Sequence, residues 1–75
     1  MQRYANLGGD SNVVAYEIGS DSITVQFGDG SLYLYNYQAT GQANVEHMKK
    51  LATDGVGLNS FIGTHVRKKY ARKMR

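Results

Sequence analysis

The chain has 75 residues, no cysteine, no proline and a formal net charge of +3 at pH 7. A chain this short buries only about 60% of the surface that it exposes when unfolded, so it has room for one small core and no second domain. The lack of cysteine excludes a disulfide framework and a thiolate metal site, and it predicts a reducing cytoplasmic location. No apolar run has the length of a signal peptide or a membrane span, so we expect a soluble protein that does not bind membranes.

The first residues show neither a helical nor a strand period. The stretch "ANLGGDSN" is rich in turn-forming residues, and we predict that residues 1–11 form a flexible segment. The ordered domain is expected over residues 12–72, with residues 73–75 as a basic end. Its first strand is predicted over residues 12–18, because "NVVAYEI" is rich in β-branched and aromatic residues.

An antiparallel hairpin is the clearest pattern in the chain. Strict alternation in "SITVQF" places Ile23, Val25 and Phe27 on one face, which is the period of a half-buried strand over residues 22–28. The turn-forming "GDG" follows, and the alternating "SLYLYNY" predicts a partner strand over residues 31–37. One face of this hairpin is expected to contribute to the core.

Two registers of the hairpin are open. If Asp29 and Gly30 form a two-residue turn, Val25 faces Leu34 and the tyrosines of the second strand lie away from the core. If the loop has three residues and a bulge, Val25 faces Tyr33 and the tyrosines join the core. The Leu and Tyr sets are both apolar enough to be buried, so the sequence favours neither register.

Two helices are predicted to complete the domain, over residues 43–53 and 60–72. In each, apolar residues recur with the helical period along one side. We therefore predict an α+β fold, a three-stranded antiparallel meander followed by two helices on one sheet face. The helix residues expected against Ile23, Val25 and Phe27 are Val45, Met48, Leu51, Phe61, Ile62 and Val66.

The order of these pieces resembles the KTSC domain, a small module named after the C-terminal region of certain lysyl-tRNA synthetases. The matching stretches are "SNVVAYE", then "ITVQF" followed by "GDGSLYLY", and "GLNSFIGTHVRKKY". They follow the family's apolar strand, its F-x-x-G-x-x-Y-x-Y hairpin, and its asparagine-bearing segment that ends in I/V-R-x-x-Y. The chain departs from the family at "QATGQA", where a valine-proline step is usual. The resemblance implies three strands with helices and, by analogy alone, a role with nucleic acid.

The C-terminal segment, defined as residues 67–75, carries most of the positive charge. Residues 1–66 contain three basic and six acidic side chains, whereas the C-terminal segment contains six basic side chains and no acidic one. Such a concentration suits salt-sensitive contacts with a phosphate backbone. A helix end that complements its own dipole and frays into solvent explains the pattern equally well. The candidate contacts are Arg67, Lys68, Lys69, Arg72, Lys73 and Arg75, of which Arg67, Lys68, Arg72 and Arg75 fall near one side of a helix.

Three further residues are candidates for contacts with nucleic acid. On an exposed sheet face, Tyr33 and Tyr35 would stack with single-stranded bases, at about 1–3 kcal/mol per base. If they lie under the helices, they are core residues. A domain with few large apolar side chains favours this buried arrangement. Asn59 is the third, since free N–H groups where the second helix begins suit a phosphate and the KTSC pattern has an asparagine there. A glycine C-cap followed by a turn is the more ordinary interpretation of its surroundings.

We predict a non-enzymatic module without cofactor or metal that binds nucleic acid, RNA or single strands, through a basic C-terminal helix. The alternative is an accessory module whose basic end docks on an acidic protein partner. An enzyme is the least favoured class, because it would need a nucleophile with a base, a carboxylate pair or a metal set. His47 and His65, the only histidines, belong to no such motif. The sequence specifies no oligomeric state.

Overall fold

The computed structural model describes residues 1–9 and 11–75, and it shows an α+β fold in which five antiparallel strands lie in chain order. The strands are β1 (Gln2–Arg3), β2 (Val13–Ile18), β3 (Ser22–Phe27), β4 (Leu32–Asn36) and β5 (Arg72–Lys73). The helices are α1 (Tyr37–Thr40), α2 (Gln42–Asp54) and α3 (Leu58–Phe61), which continues into a π-helical turn (Ile62–Val66). The α+β class is confirmed, and the predicted three-stranded meander is extended by one short strand at each edge.

The β3–β4 hairpin adopts the register with a three-residue loop. The Gly30 N–H donates to the Phe27 carbonyl and the Phe27 N–H donates to the Ser31 carbonyl, each at 2.9 Å. Gly30 has φ +89°, the left-handed residue that closes such a loop with a bulge. Val25 therefore lies opposite Tyr33, so the tyrosines of β4 and the apolar residues of β3 share a face.

The core lies between this face and the helices. Ile23 and Val25 are fully buried against α2, which crosses β3 and β4. The predicted first helix over 43–53 is confirmed as α2, one residue longer at each end. The buried apolar residues are Tyr4, Val13, Tyr16, Ile23, Val25, Tyr35, Val45, Met48, Ala52, Leu58, Ile62 and Val66. Phe27, Leu51 and Phe61, which were also predicted in the core, are partly buried against it.

The structured domain begins before residue 12, where the sequence analysis placed its start. Strand β1 pairs with β2, and the next residue, Tyr4, is 4% exposed and belongs to the core. The Tyr4 hydroxyl accepts a hydrogen bond from the Leu58 N–H at 3.2 Å, and the Leu7 N–H donates to the Gly55 carbonyl at 2.7 Å. These contacts attach the N-terminal segment to the loop between α2 and α3, which no local sequence pattern indicates.

The predicted second helix over residues 60–72 is wrong beyond Val66. The chain leaves the π-helical turn there, and the Thr40 hydroxyl donates to the Lys69 carbonyl at 2.5 Å. The C-terminal segment then runs along β4, with the Ala71 N–H donating to the Leu34 carbonyl at 2.6 Å. Without this strand the edge of β4 would present unpaired peptide groups, so the pairing satisfies backbone polar groups that a longer helix would leave open.

Within residues 1–9 and 11–75, no helix combines the length and apolar composition that crossing a bilayer requires. The longest helix, α2, has 13 residues and an outer face that carries Glu46, Lys49 and Lys50. Glu46 pairs with Lys49 at 2.9 Å, which is the i, i+3 spacing of neighbouring side chains on a helix surface.

Candidate nucleic-acid interface

Four aromatic rings meet where β3, β4 and the C-terminal segment come together. The Tyr33 ring lies edge-on to Phe27 and to Tyr70, with centroid distances of 5.5 Å and 4.8 Å. Tyr70 is also edge-on to Tyr35 at 6.4 Å. Edge-to-face pairs of this kind add about 0.5–1.5 kcal/mol beyond the burial of their area. Tyr70 is 37% exposed and is the most open ring of the four.

A groove of about 390 Å³ runs over this cluster. Its volume falls in the range of about 300–1,000 Å³ that is usual for ligand sites. We call it the aromatic groove, lined by Asn12, Phe27, Asp29, Ser31, Tyr33, Tyr35, Ile62, Arg67, Lys68 and Tyr70. It thus combines aromatic rings with two cations and one carboxylate.

A third cation reaches the same place from β5. Lys73 pairs with Tyr33 across the β4–β5 ladder, so both side chains point to the helix-covered face. The Lys73 ammonium lies 5.7 Å from the centroid of the Tyr33 ring, within the range of a cation–π contact. Arg67, Lys68 and Lys73 therefore surround the aromatic cluster, and all three are exposed.

The structure separates the other three predicted cations from this set. Arg72 pairs with Leu34 and so projects from the opposite sheet face. The side chains of Lys69 and Arg75 are exposed but do not line the groove. The clustering of Arg67 and Arg72 on one side, which the helix prediction implied, is thus wrong, because successive residues of a strand alternate between faces.

The two predicted stacking tyrosines are core residues to different degrees. Tyr35 is 2% exposed, so neither face of its ring is open to a base, and its predicted stacking role is corrected. Burial, together with the nearby Tyr33 and Tyr70, raises the pKa of Tyr35 to about 12. Tyr33 is partly buried between its aromatic neighbours, which leaves Tyr70 as the ring best placed to stack.

Asn59 lies in a different groove. This second groove, of about 230 Å³, lies between the N-terminal segment and the α2–α3 loop, where Asn59 lines it together with Tyr4 and Asn6. The groove contains no lysine or arginine. Asn59 is therefore not brought together with the cations of the C-terminal segment, although the sequence analysis had grouped them.

Among the residues of the aromatic groove that the sequence analysis did not name as candidates for binding are Tyr70 and Asp29. Tyr70 fell within the predicted second helix over residues 60–72. Asp29 occupies the hairpin loop, where its Oδ1 accepts hydrogen bonds from the Ser31 hydroxyl at 2.7 Å and the Ser31 N–H at 3.0 Å. These bonds hold the pKa of Asp29 below its usual value, and Lys73 contributes in the same direction. The signal available was the "DGS" sequence, in which an Asp side chain bonds the backbone two residues on.

Both histidines contact Phe61, and neither lines the aromatic groove. Their ring centroids lie 4.7 Å (His47) and 4.5 Å (His65) from that of Phe61. The hydroxyl of Thr64 is 2.7 Å from His65 Nδ1. Across the part of the chain that the structure describes, no three His, Asp or Glu side chains are arranged to hold a metal ion.

Comparisons with known proteins return no matching family model, curated protein or solved structure. What the aromatic groove binds is therefore inferred from its own residues. These are the exposed ring of Tyr70, the cations Arg67 and Lys68, with Lys73 close by over the Tyr33 ring, and the carboxylate of Asp29 at the hairpin loop.

Proposed function

We propose that this protein is a non-enzymatic module that binds single-stranded nucleic acid, RNA above all, in the aromatic groove. The observation that carries the proposal is the position of Tyr70, an exposed ring that shares the groove with Arg67 and Lys68 and packs edge-on to Tyr33, over whose ring the Lys73 ammonium lies. Proteins that bind single strands combine aromatic rings, on which bases stack, with cations that follow the backbone. Both elements occur here within one groove.

The cations flank Tyr70 along the chain as well as in space. Arg67 and Lys68 precede it at the turn that follows the π-helical turn, and Lys73 follows it on β5. A base stacked on Tyr70 would have positive charge on both sides for the phosphates that precede and follow it. Contacts with phosphates release counterions, so the affinity should fall steeply with salt.

We further propose that the chain is related to the KTSC domains that it resembles. Support comes from where the residues of the two patterns lie. Phe27, Tyr33 and Tyr35 belong to F-x-x-G-x-x-Y-x-Y, Tyr70 ends I/V-R-x-x-Y, and these four rings form one cluster. The glycine of the first pattern is Gly30, whose positive φ closes the hairpin loop. The residues of the resemblance thus build the proposed site.

Replacing Tyr70 tests the proposed function. Tyr70→Ala removes the stacking face, which is worth about 1–3 kcal/mol per base, so we expect binding of a short single-stranded RNA to weaken roughly 5- to 150-fold. Fluorescence anisotropy of a labelled RNA at low salt measures the change. Tyr70→Phe keeps the ring and is the matched control, expected to bind as the unchanged protein does.

Two results of this experiment would contradict the proposal. One is Tyr70→Ala binding RNA as tightly as the unchanged protein while its amide spectrum shows an intact fold. The other is no saturable binding by the unchanged protein at low salt, which would direct attention to an acidic protein partner instead.

A further inference from the structure

We infer that the aromatic groove prefers guanine to the other bases and that Asp29 reads it by accepting hydrogen bonds from the Watson–Crick edge. The inference rests on the proposed binding of single strands and adds the base that the site selects. Its starting observation is an acidic side chain, Asp29, in a groove whose other charged lining residues are Arg67 and Lys68.

A carboxylate in this position works against binding by phosphate contacts alone. It repels the backbone that Arg67 and Lys68 would attract, so it lowers the affinity for a strand unless it meets donors of its own. Groups that repel one ligand and suit another are a common source of specificity. Asp29 therefore indicates that the groove contacts base edges as well as phosphates.

The Asp29 carboxylate is held in place with acceptor capacity to spare. Both hydrogen bonds from Ser31 end on Oδ1, and an ionised carboxylate has about four acceptor sites on its two oxygens. The same two bonds lower the pKa of Asp29, which keeps the group ionised at neutral pH. It therefore acts only as an acceptor.

Guanine fits such an acceptor best among the four bases. In a single strand the Watson–Crick edge is free to be read. The guanine edge presents two adjacent donors, N1–H and the N2 amino group, whereas adenine and cytosine place an acceptor nitrogen beside their amino group. Uracil has one N–H between two carbonyl oxygens, which repel a carboxylate. Base stacking on Tyr70 leaves this edge free to reach the hairpin loop that lines the same groove.

The test compares short RNAs of equal length, one of uridine only and three with a single central guanine, adenine or cytosine. We expect the guanine RNA to bind about tenfold more tightly than the others, since one well-placed base contact is worth about 1–3 kcal/mol. Asp29→Asn keeps an oxygen for Ser31 but places an amide donor beside it. This variant should lose the preference and bind the uridine RNA more tightly, because the carboxylate that repels the phosphates is gone.

Asp21→Asn is the matched control, because Asp21 is exposed and lies at the opposite end of β3 from Asp29. It makes the same change of charge outside the groove and should keep the guanine preference. Equal binding of all four RNAs by the unchanged protein, or a preference retained in Asp29→Asn, would overturn the inference and leave the proposed function standing. Failure to bind any of the RNAs would overturn both.

Discussion

Tyr35 lies opposite Ile23 on the helix-covered face of the sheet, with the Tyr70 ring edge-on to it. Its side chain is almost fully buried, and that burial raises the pKa of the phenol to about 12. In an unfolded chain the same group ionises near pH 10. Between about pH 10 and pH 12, Tyr35 is therefore neutral in the folded state, whereas in the unfolded state its phenol is mostly ionised.

The protein should lose stability as the pH rises from about 10 to about 12. A pKa that is higher in the folded state gives a stabilisation that is complete below the unfolded pKa and is lost as the pH passes the folded one. Tyr35→Phe has no phenol to ionise, so its free energy of unfolding should fall less over this range, by about 2 kcal/mol. Urea unfolding of both proteins at several alkaline pH values measures the difference. Parallel losses in the two would contradict the assignment.

At the scale of elements, the sequence predicts correctly those strands and helices whose buried face is determined by the local residue pattern. The alternation of β3 and the helical period of α2 each identify a buried face, and the structure confirms both. The register of the hairpin is not determined by that pattern, because leucines and tyrosines alternate in β4 and either set can be buried. Packing of Tyr33 and Tyr35 against other parts of the chain selects the register with the three-residue loop.

The C-terminal segment is the element that local pattern misassigns. Lysine, arginine and alanine have high helix propensity, so "RKKYARKMR" continues the preceding helix as far as the sequence shows. The competing interaction is with β4, whose edge offers backbone groups about 40 residues earlier in the chain, as in the pairing of Tyr33 with Lys73. No short-range pattern reports a separation of this length. The candidate site could be predicted only in part for the same reason, because it depends on this long-range pairing. Its six cations are evident in the sequence, but which of them meet Tyr70 depends on the strand.

Strand β5 should be sensitive to the loss of one hydrogen bond. Ala71→Pro removes the N–H that donates to the Leu34 carbonyl, so we expect the free energy of unfolding to fall by about 1–3 kcal/mol. The Leu32 N–H, which donates to the Arg75 carbonyl, should exchange its hydrogen faster. Urea unfolding and amide hydrogen exchange measure the two effects. Ala71→Gly keeps the N–H donor and is the control. Exchange of the Leu32 amide hydrogen that is faster in Ala71→Gly than in Ala71→Pro would argue against the strand.

At the scale of the whole molecule, the sheet brings the basic C-terminal segment next to the β3–β4 hairpin. Residues 1–66 have three positive and six negative side chains, and the C-terminal segment has six positive ones. Because β5 adds to the edge of β4, part of that charge returns to the hairpin tyrosines and to the loop that contains Asp29. The remaining cations face the other side of the sheet or solvent, where they add to the general attraction of a polyanion.

The most direct test of the account is an amide chemical-shift titration with a short single-stranded RNA, at low and at raised salt. We predict saturable shifts at the hairpin loop and around Tyr70, including Asp29 and Arg67, that weaken steeply with salt, while the amide of Asn59 in the second groove stays unchanged. Spectra that stay unchanged at low salt, or shifts confined to residues outside the aromatic groove, would contradict it.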